Sequence, residues 1–266
     1  MALPSPTLIV VHAVMGPPNP LLRDAGTDER FMAAVRTEFP NVLARQLLPP
    51  EAPPPVPHLT LASTSSQLAL SAAQADFEVR FYGQFIEDTT KALGYVQQKL
   101  LAVLAGFKSI EVVPATLGLV ATLNFSFETM DTTATEYLLR THLKTDVEAG
   151  DVQDATARVA LKVRDTYFVS LSVGNYESRR IERPIFPGAQ VVIRPWEGKV
   201  EDAGIELKID INNQLESRVK QADPEVTEDG VRAVLGLLEA TVLTSGPEFA
   251  ATGSLSVDSL VERSQA

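Results

Sequence analysis

The chain has 266 residues, 45% of them apolar, with a net charge of −11 and no cysteine. That is enough apolar chain for one large domain or two modest ones with an uncross-linked core. It excludes disulfides, thiol catalysis and thiolate-built metal centres, and the acidity argues against broad affinity for nucleic acid or anionic lipid.

The first expected element is a buried strand at Thr7–Val14, broken by proline and glycine at Gly16–Pro20. A helix follows at about 28–39, with Thr27 as its cap and Pro40 at its end. Residues 49–57, PPEAPPPVP, form a stiff connector that favours extended polyproline geometry and has the composition of an SH3-type ligand. His58–Ala62 and Gln67–Ala72 pair as a hairpin, and Phe77–Phe81 adds a strand. The strongest helical stripe runs over 84–105, with Leu93, Val96, Leu100, Val103 and Leu104 on one side and Gly106 at the expected end. Leu117–Phe127 alternates cleanly as a long strand.

A short helix at 132–144 carries capping-box spacing at Thr133 and Glu136. Residues 145–155 read as an acidic loop. Four strands then follow in succession: Ala157–Arg164, Tyr167–Tyr176, Gln190–Pro195 and Gly204–Asn212. In the last, Ile205, Leu207, Ile209 and Ile211 alternate with Glu206, Lys208, Asp210 and Asn212, which gives one apolar and one charged face. A helix at about 228–243, capped by Thr227, buries Val231, Val234, Leu235, Leu238 and Val242. The tail is polar and acidic, with a short helix at Ser256–Glu262 as an alternative to fraying.

This order predicts an α+β fold of antiparallel sheets backed by helices. The expected units are an N-terminal half at 1–148, a C-terminal four-stranded sheet plus helix at 149–244, and a tail at 245–266. Each half closes on a strand set and a long helix, which fits a remote duplication. Strand–helix–strand alternation of a parallel sheet is missing.

Charge is unevenly spread. Residues 1–155 hold 10 Lys+Arg and 17 Asp+Glu, residues 156–220 hold 11 and 9, and residues 221–266 hold 2 and 8. The strand-rich region is therefore the one stretch that is not acidic. Arg179, Arg180, Arg183 and Arg194, with Arg158, Lys162 and Arg164 on a neighbouring strand, make it a candidate docking face for an acidic protein or a nucleic acid. Trp196 is the kind of aromatic that anchors protein contacts. The competing reading is internal pairing with Glu177, Glu182, Glu197 and the acidic tail.

His58-Leu59-Thr60 is the one enzyme-like motif. A His-x-Thr on a strand resembles half of a 2H phosphoesterase site, where imidazole moves a proton and the hydroxyl donates to phosphate. That family needs a second copy, and neither His12 nor His142 is followed two residues on by Ser or Thr. Asp210 and Asn212 share a strand face and are a weak candidate for a hard cation. Phosphate-loop, dinucleotide-binding and nucleophile-elbow motifs are absent from the sequence, so no cofactor is expected.

The element order, with Phe39-Pro40, Gly118-Leu119, Asn124 and the Ile209-Asp210-Ile211-Asn212 strand, resembles an uncharacterised, sporadically distributed family of bacterial proteins of similar size. The Arg-Tyr of that family's strand motif is missing here, and the family lends no catalytic residue. The strands and helix of the second half are also similar in topology to SecB-type chaperones. Together these readings give a non-catalytic macromolecule-binding protein, chaperone-, antitoxin- or defence-adaptor-like, with a protein partner and a homo-oligomeric state expected. A nucleic-acid binder and a 2H-like phosphoesterase are the alternatives. The N-terminus lacks a basic start and a cleavage-type ending. No apolar run nears the roughly 20 residues that span a bilayer, so a cytoplasmic protein with no membrane partner is expected.

Overall fold

A computed structural model describes residues 3–49, 51–128, 130–145, 152, 154–163, 166–180, 198–214 and 225–255. Alternation builds the framework. Strands β1 (Thr7–Gly16), β2 (Asn41–Arg45), β3 (Pro57–Ala62), β4 (Ser66–Ser71), β5 (Ala75–Arg80) and β6 (Thr116–Ser126) join β7 (Thr156–Val163), β8 (Tyr167–Arg180) and β9 (Lys199–Asn212) in one antiparallel sheet. The order across it is β2-β3-β4-β5-β1-β6-β9-β8-β7. The α+β class and the antiparallel sheet are as the sequence indicates.

One face of the sheet is apolar. Val11, Ala13, Leu59, Leu61, Leu119, Leu123, Leu171, Leu207 and Ile209 are all at most 1% exposed. Over this face lie α1 (Ala25–Val35), the short α2 (Gln84–Glu87), α3 (Thr89–Ser109), α4 (Ala134–Leu138), α5 (Glu228–Ala240) and α6 (Gly246–Thr252). The helical stripes match expectation: Leu93, Val96, Leu100, Val103 and Leu104 of α3 and Val231, Val234, Leu235 and Leu238 of α5 are buried. Thr133 and Thr227 cap α4 and α5 by accepting from Glu136 N and Gly230 N. Among the described residues no helix is long and apolar enough to cross a membrane.

The two ends of the chain repeat one topology. β1–α1–β3–β4–β5–α3 and β6–α4–β7–β8–β9–α5 run in the same order, and their strands lie as β1-β5-β4-β3 and β6-β9-β8-β7. The repeats meet where β1 pairs with β6, antiparallel. The changeover falls between Ser109 and Thr116, so residues 145–155 lie inside the second repeat. There the sheet runs on without a break, because β6 is hydrogen-bonded to both β1 and β9. Among the described residues β2 has no counterpart, and it is added outside β3.

Several details depart from the sequence reading. Asp24, not Thr27, caps α1: its carboxylate accepts from Thr27 N at 2.9 Å and Thr27 Oγ1 at 2.6 Å. The helix stops at Val35, and the residues after Pro40 form the unforeseen strand β2. Asp88 breaks the long helix and caps α3. Gly106 lies inside α3, not at its end, because α1 crosses it closely. A Cβ there would sit 2.7 Å from Phe31 Cε2 and 2.9 Å from Val35 Cγ1.

The β8–β9 arm is longer than expected. Arg179 and Arg180 therefore belong to a strand, paired with Val200 and Lys199, and not to a loop. The Gln190–Pro195 strand and the Ser256–Glu262 helix lie outside the described residues. The proline-rich connector is not extended: Ala52 N reaches Pro49 O and Val56 N reaches Pro53 O, two consecutive turns.

Candidate binding surface

The second face of the sheet carries no helix among the described residues. It is roughly 40 Å wide at about 4.8 Å per strand. Gln67, Glu78, His12, Val120, Asp210 and Ser170 form one row across its middle. Its charges are mostly matched in place. Arg80 pairs with Glu78 at 2.7 Å and Lys208 with Glu206 at 2.7 Å, while Arg158 Nε donates to Ser170 Oγ at 2.8 Å. His12 stands 3.7 Å from Asp76, whose carboxylate holds the imidazole pKa above its usual value despite partial burial. At the far end, Tyr176 and Ser126 each donate to Asp202 at 2.6 Å. Burial first, and then Asp202, push the Tyr176 phenol above its ordinary range. This is a solvated sheet face with its own internal bonds.

The described candidate basic residues are spread over it and do not converge. Arg158 and Lys162 stand exposed on edge strand β7. Arg179 and Arg180 sit at the end of the β8–β9 arm, where Arg179 pairs with Glu177 and Arg180 with Glu201 at 3.4 Å. Arg164, Arg183, Arg194 and Trp196 lie outside the described residues. Asn212 Nδ2 donates to Asp210 Oδ1 at 3.2 Å, and among the described residues no group of three His, Asp or Glu is placed to hold a metal ion.

His58 and Thr60 are separated by the strand they share. The β3–β4 register slips between Pro57 and Leu59, and this bulge turns His58 to the helix side. There the imidazole is 2% exposed, with Nε2 3.1 Å from Asp28 Oδ1 of α1. Thr60 stays on the open face, opposite Ala69 and Ala44. His58 is thus part of a buried polar cluster. Arg45 of β2 reaches Asp28 Oδ2 at 3.3 Å, Ala25 O at 3.0 Å and Glu29 at 3.6 Å. Arg23 donates to Ala52 O and Pro53 O, at 2.9 and 2.6 Å, and so holds the connector down. Burial lowers the His58 pKa most; Asp28 opposes that, and the Arg23 charge adds to it.

The two edges of the sheet differ. β7 ends it with Arg158 and Lys162 outward, the usual protection against unwanted strand pairing. β2 ends it with Val42 55% exposed and Leu43 60% exposed, and Leu47, just beyond, is 88% exposed. Among the described residues β2 is hydrogen-bonded to β3 alone. Beside it a cleft of about 320 Å³ runs along α1, floored by Phe39 and Leu61 and walled by Met32, Pro40 and Val42, with Glu29 and Arg36 at its rim. Lys99 anchors the chain entering β2. It is 3% exposed, bonds Glu38 O, meets Glu38 Oε2 at 3.0 Å and lies 4.9 Å from the Phe39 and Tyr95 ring centres.

No protein-family model matches the chain, and no curated protein matches it in sequence. No hydrophobic alternation marks the β2 edge in the sequence; its one trace is Asn41-Val42-Leu43-Ala44 directly after Phe39-Pro40.

Proposed function

We propose that this chain is a non-catalytic protein-binding protein that docks an extended, apolar segment of another protein along β2. The observation that carries the reading is an uncharged strand edge, at Val42–Ala44, lying directly beside an apolar cleft. Among the described residues nothing pairs with the outer side of β2, so an incoming strand can bond the backbone donors and acceptors there while the cleft takes the side chains on its helix-facing side. The bulge between Val42 and Ala44 keeps the paired stretch short, which suits a brief segment better than indefinite sheet growth. Glu29 and Arg36 at the rim supply polar partners for the ends of the segment. A chaperone, antitoxin or defence-adaptor role fits such a surface. The locally basic sheet face recedes, since its described cations are spread out and several are already bonded. His58 and Thr60, on opposite sides of β3, lend no support to phosphoesterase chemistry.

The test is fluorescence anisotropy with a labelled ten-residue peptide that alternates apolar and polar residues. A second peptide replaces every other residue with proline and so lacks those strand donors. Saturable binding of the first, lost in the second and in Leu43→Lys, supports the proposal. Equal binding of both peptides, or binding unchanged in Leu43→Lys, overturns it.

A further inference from the structure

His58 is the most deeply buried of the titratable groups around the β2 edge, and it is poorly satisfied. Its Nδ1 and Nε2, and the facing Asp28 Oδ1, are buried without a well-formed hydrogen bond even though Nε2 and Oδ1 are 3.1 Å apart. The charges around it come from every element packed there. Asp28 comes from α1, Arg45 from β2 and Arg23 from the segment before α1, with Glu29 reaching the cluster through Arg45. On β4 the residues beside the register slip at His58 are Ser71, opposite Pro57, and Leu70, opposite Leu59, both uncharged. With neutral imidazole the cluster holds two guanidinium groups against the buried Asp28 and the exposed Glu29. A proton on His58 adds a third positive charge, buried beside a carboxylate that Arg45 already shares.

We infer that the Asp28–Arg45–His58 cluster is an acid-sensitive latch that holds β2 and the proline-rich connector against the start of α1. Arg45 ties β2 to Ala25, Asp28 and Glu29 of α1, and Arg23 ties the connector to the same corner. Protonation favours the opened arrangement, in which His58 reaches water and β2 separates from α1. The latch itself does not depend on what β2 binds. Its consequence, that acid lowers affinity for an extended segment, rests on the docking reading above.

The experiment is amide hydrogen exchange on the full chain without any peptide, at pH 7.5 and 5.5, corrected for intrinsic rates. One pH unit below the ordinary histidine pKa, the open form gains up to about tenfold in population. Protection of residues 41–47 therefore drops by up to that factor, while residues 117–125 of β6 hold theirs. In His58→Gln the pH-dependent loss at β2 disappears. Equal protection of β2 at both pH values in the wild-type chain overturns the latch, even if the variant does not fold. The same pH-dependent loss in a folded His58→Gln also overturns it. Loss of peptide binding in Leu43→Lys concerns only the docking reading, so the two failures are distinguishable.

Discussion

The two edges of the sheet answer the same problem in opposite ways. β7 and β2 each leave one side of a strand unpaired among the described residues. β7 guards its edge with Arg158 and Lys162, and it runs for eight residues in unbroken register with β8. β2 is five residues long, carries a bulge, and shows Val42 and Leu43 to solvent. Among the described residues it also stands outside the topological repeat, which supplies β3 with a partner from β4 and shows no second strand like β2. The repeat accounts for the scaffold, and β2, beyond it, forms the proposed docking edge. The supports differ too: β2 leans on α1 through Arg45, and α1 is set in place by the close crossing at Gly106.

The largest effect should come from the support beneath β2. Phe31 is fully buried, packs edge-on against Phe107 at 5.8 Å and fills the space over Gly106. Phe31→Ala should cost about 4 kcal/mol of unfolding free energy in urea titrations. A cost under about 1 kcal/mol would mean that α1 is not what holds this edge.

Leu43→Lys comes next. Its side chain is more than half exposed, so stability should stay within about 0.5 kcal/mol. Affinity for the alternating peptide should fall by roughly 2 kcal/mol, near thirtyfold, through lost apolar burial and an added charge. A change in stability with unchanged affinity would reverse the assignment.

The third effect is on pH dependence. Burial depresses the His58 pKa, so the unfolded chain binds more protons than the folded one between the lowered value and 6.5. The stability linked to neutral His58 is therefore present above about pH 6.5 and lost as pH falls below it. His142, half-buried between Tyr137 and Phe249 with a hydrogen bond to Ala250 O, acts with the same sign from the second repeat. His12, raised by Asp76, acts with the opposite sign. Subtracting the His58→Gln stability curve from that of the wild type isolates the first contribution. A flat difference between pH 7.5 and 5 would show that His58 is not held neutral.

The smallest effect is expected at the other edge. Lys162→Glu on β7 should change stability by no more than about 0.5 kcal/mol and leave peptide affinity unaltered. A large loss of binding there would move the docking surface to β7.

The framework was readable because both of its periods were strong. Leu117 to Phe125 and Ile205 to Ile211 alternate without interruption, and the stripes of α3 and α5 are continuous. The parts that escaped reading lack such a period. β2 has neither face buried, so hydrophobic alternation cannot mark it, and Pro40 looked like a plain helix stop. The end of the β8–β9 arm, beyond Tyr176 and before Gly204, is polar and exposed and reads as loop until its pairing is seen. Gly106 resembled a helix end because a close helix crossing and a C-terminal turn call for the same residue. At the candidate site, the sequence motif marks His58, but the bulge that turns it away from Thr60 depends on β4 and cannot be read from β3 alone. The arginines lie close together in sequence, and sheet geometry spreads the described ones, Arg158, Arg179 and Arg180, over an edge strand and the end of an arm.

The most direct test of the account is hydrogen exchange with and without the alternating peptide at neutral pH. Docking at β2 predicts added protection at residues 41–47 and along Met32–Arg36, with β7 and the open face unchanged. Added protection at Thr156–Val163 or across the open face, with none at β2, would contradict it.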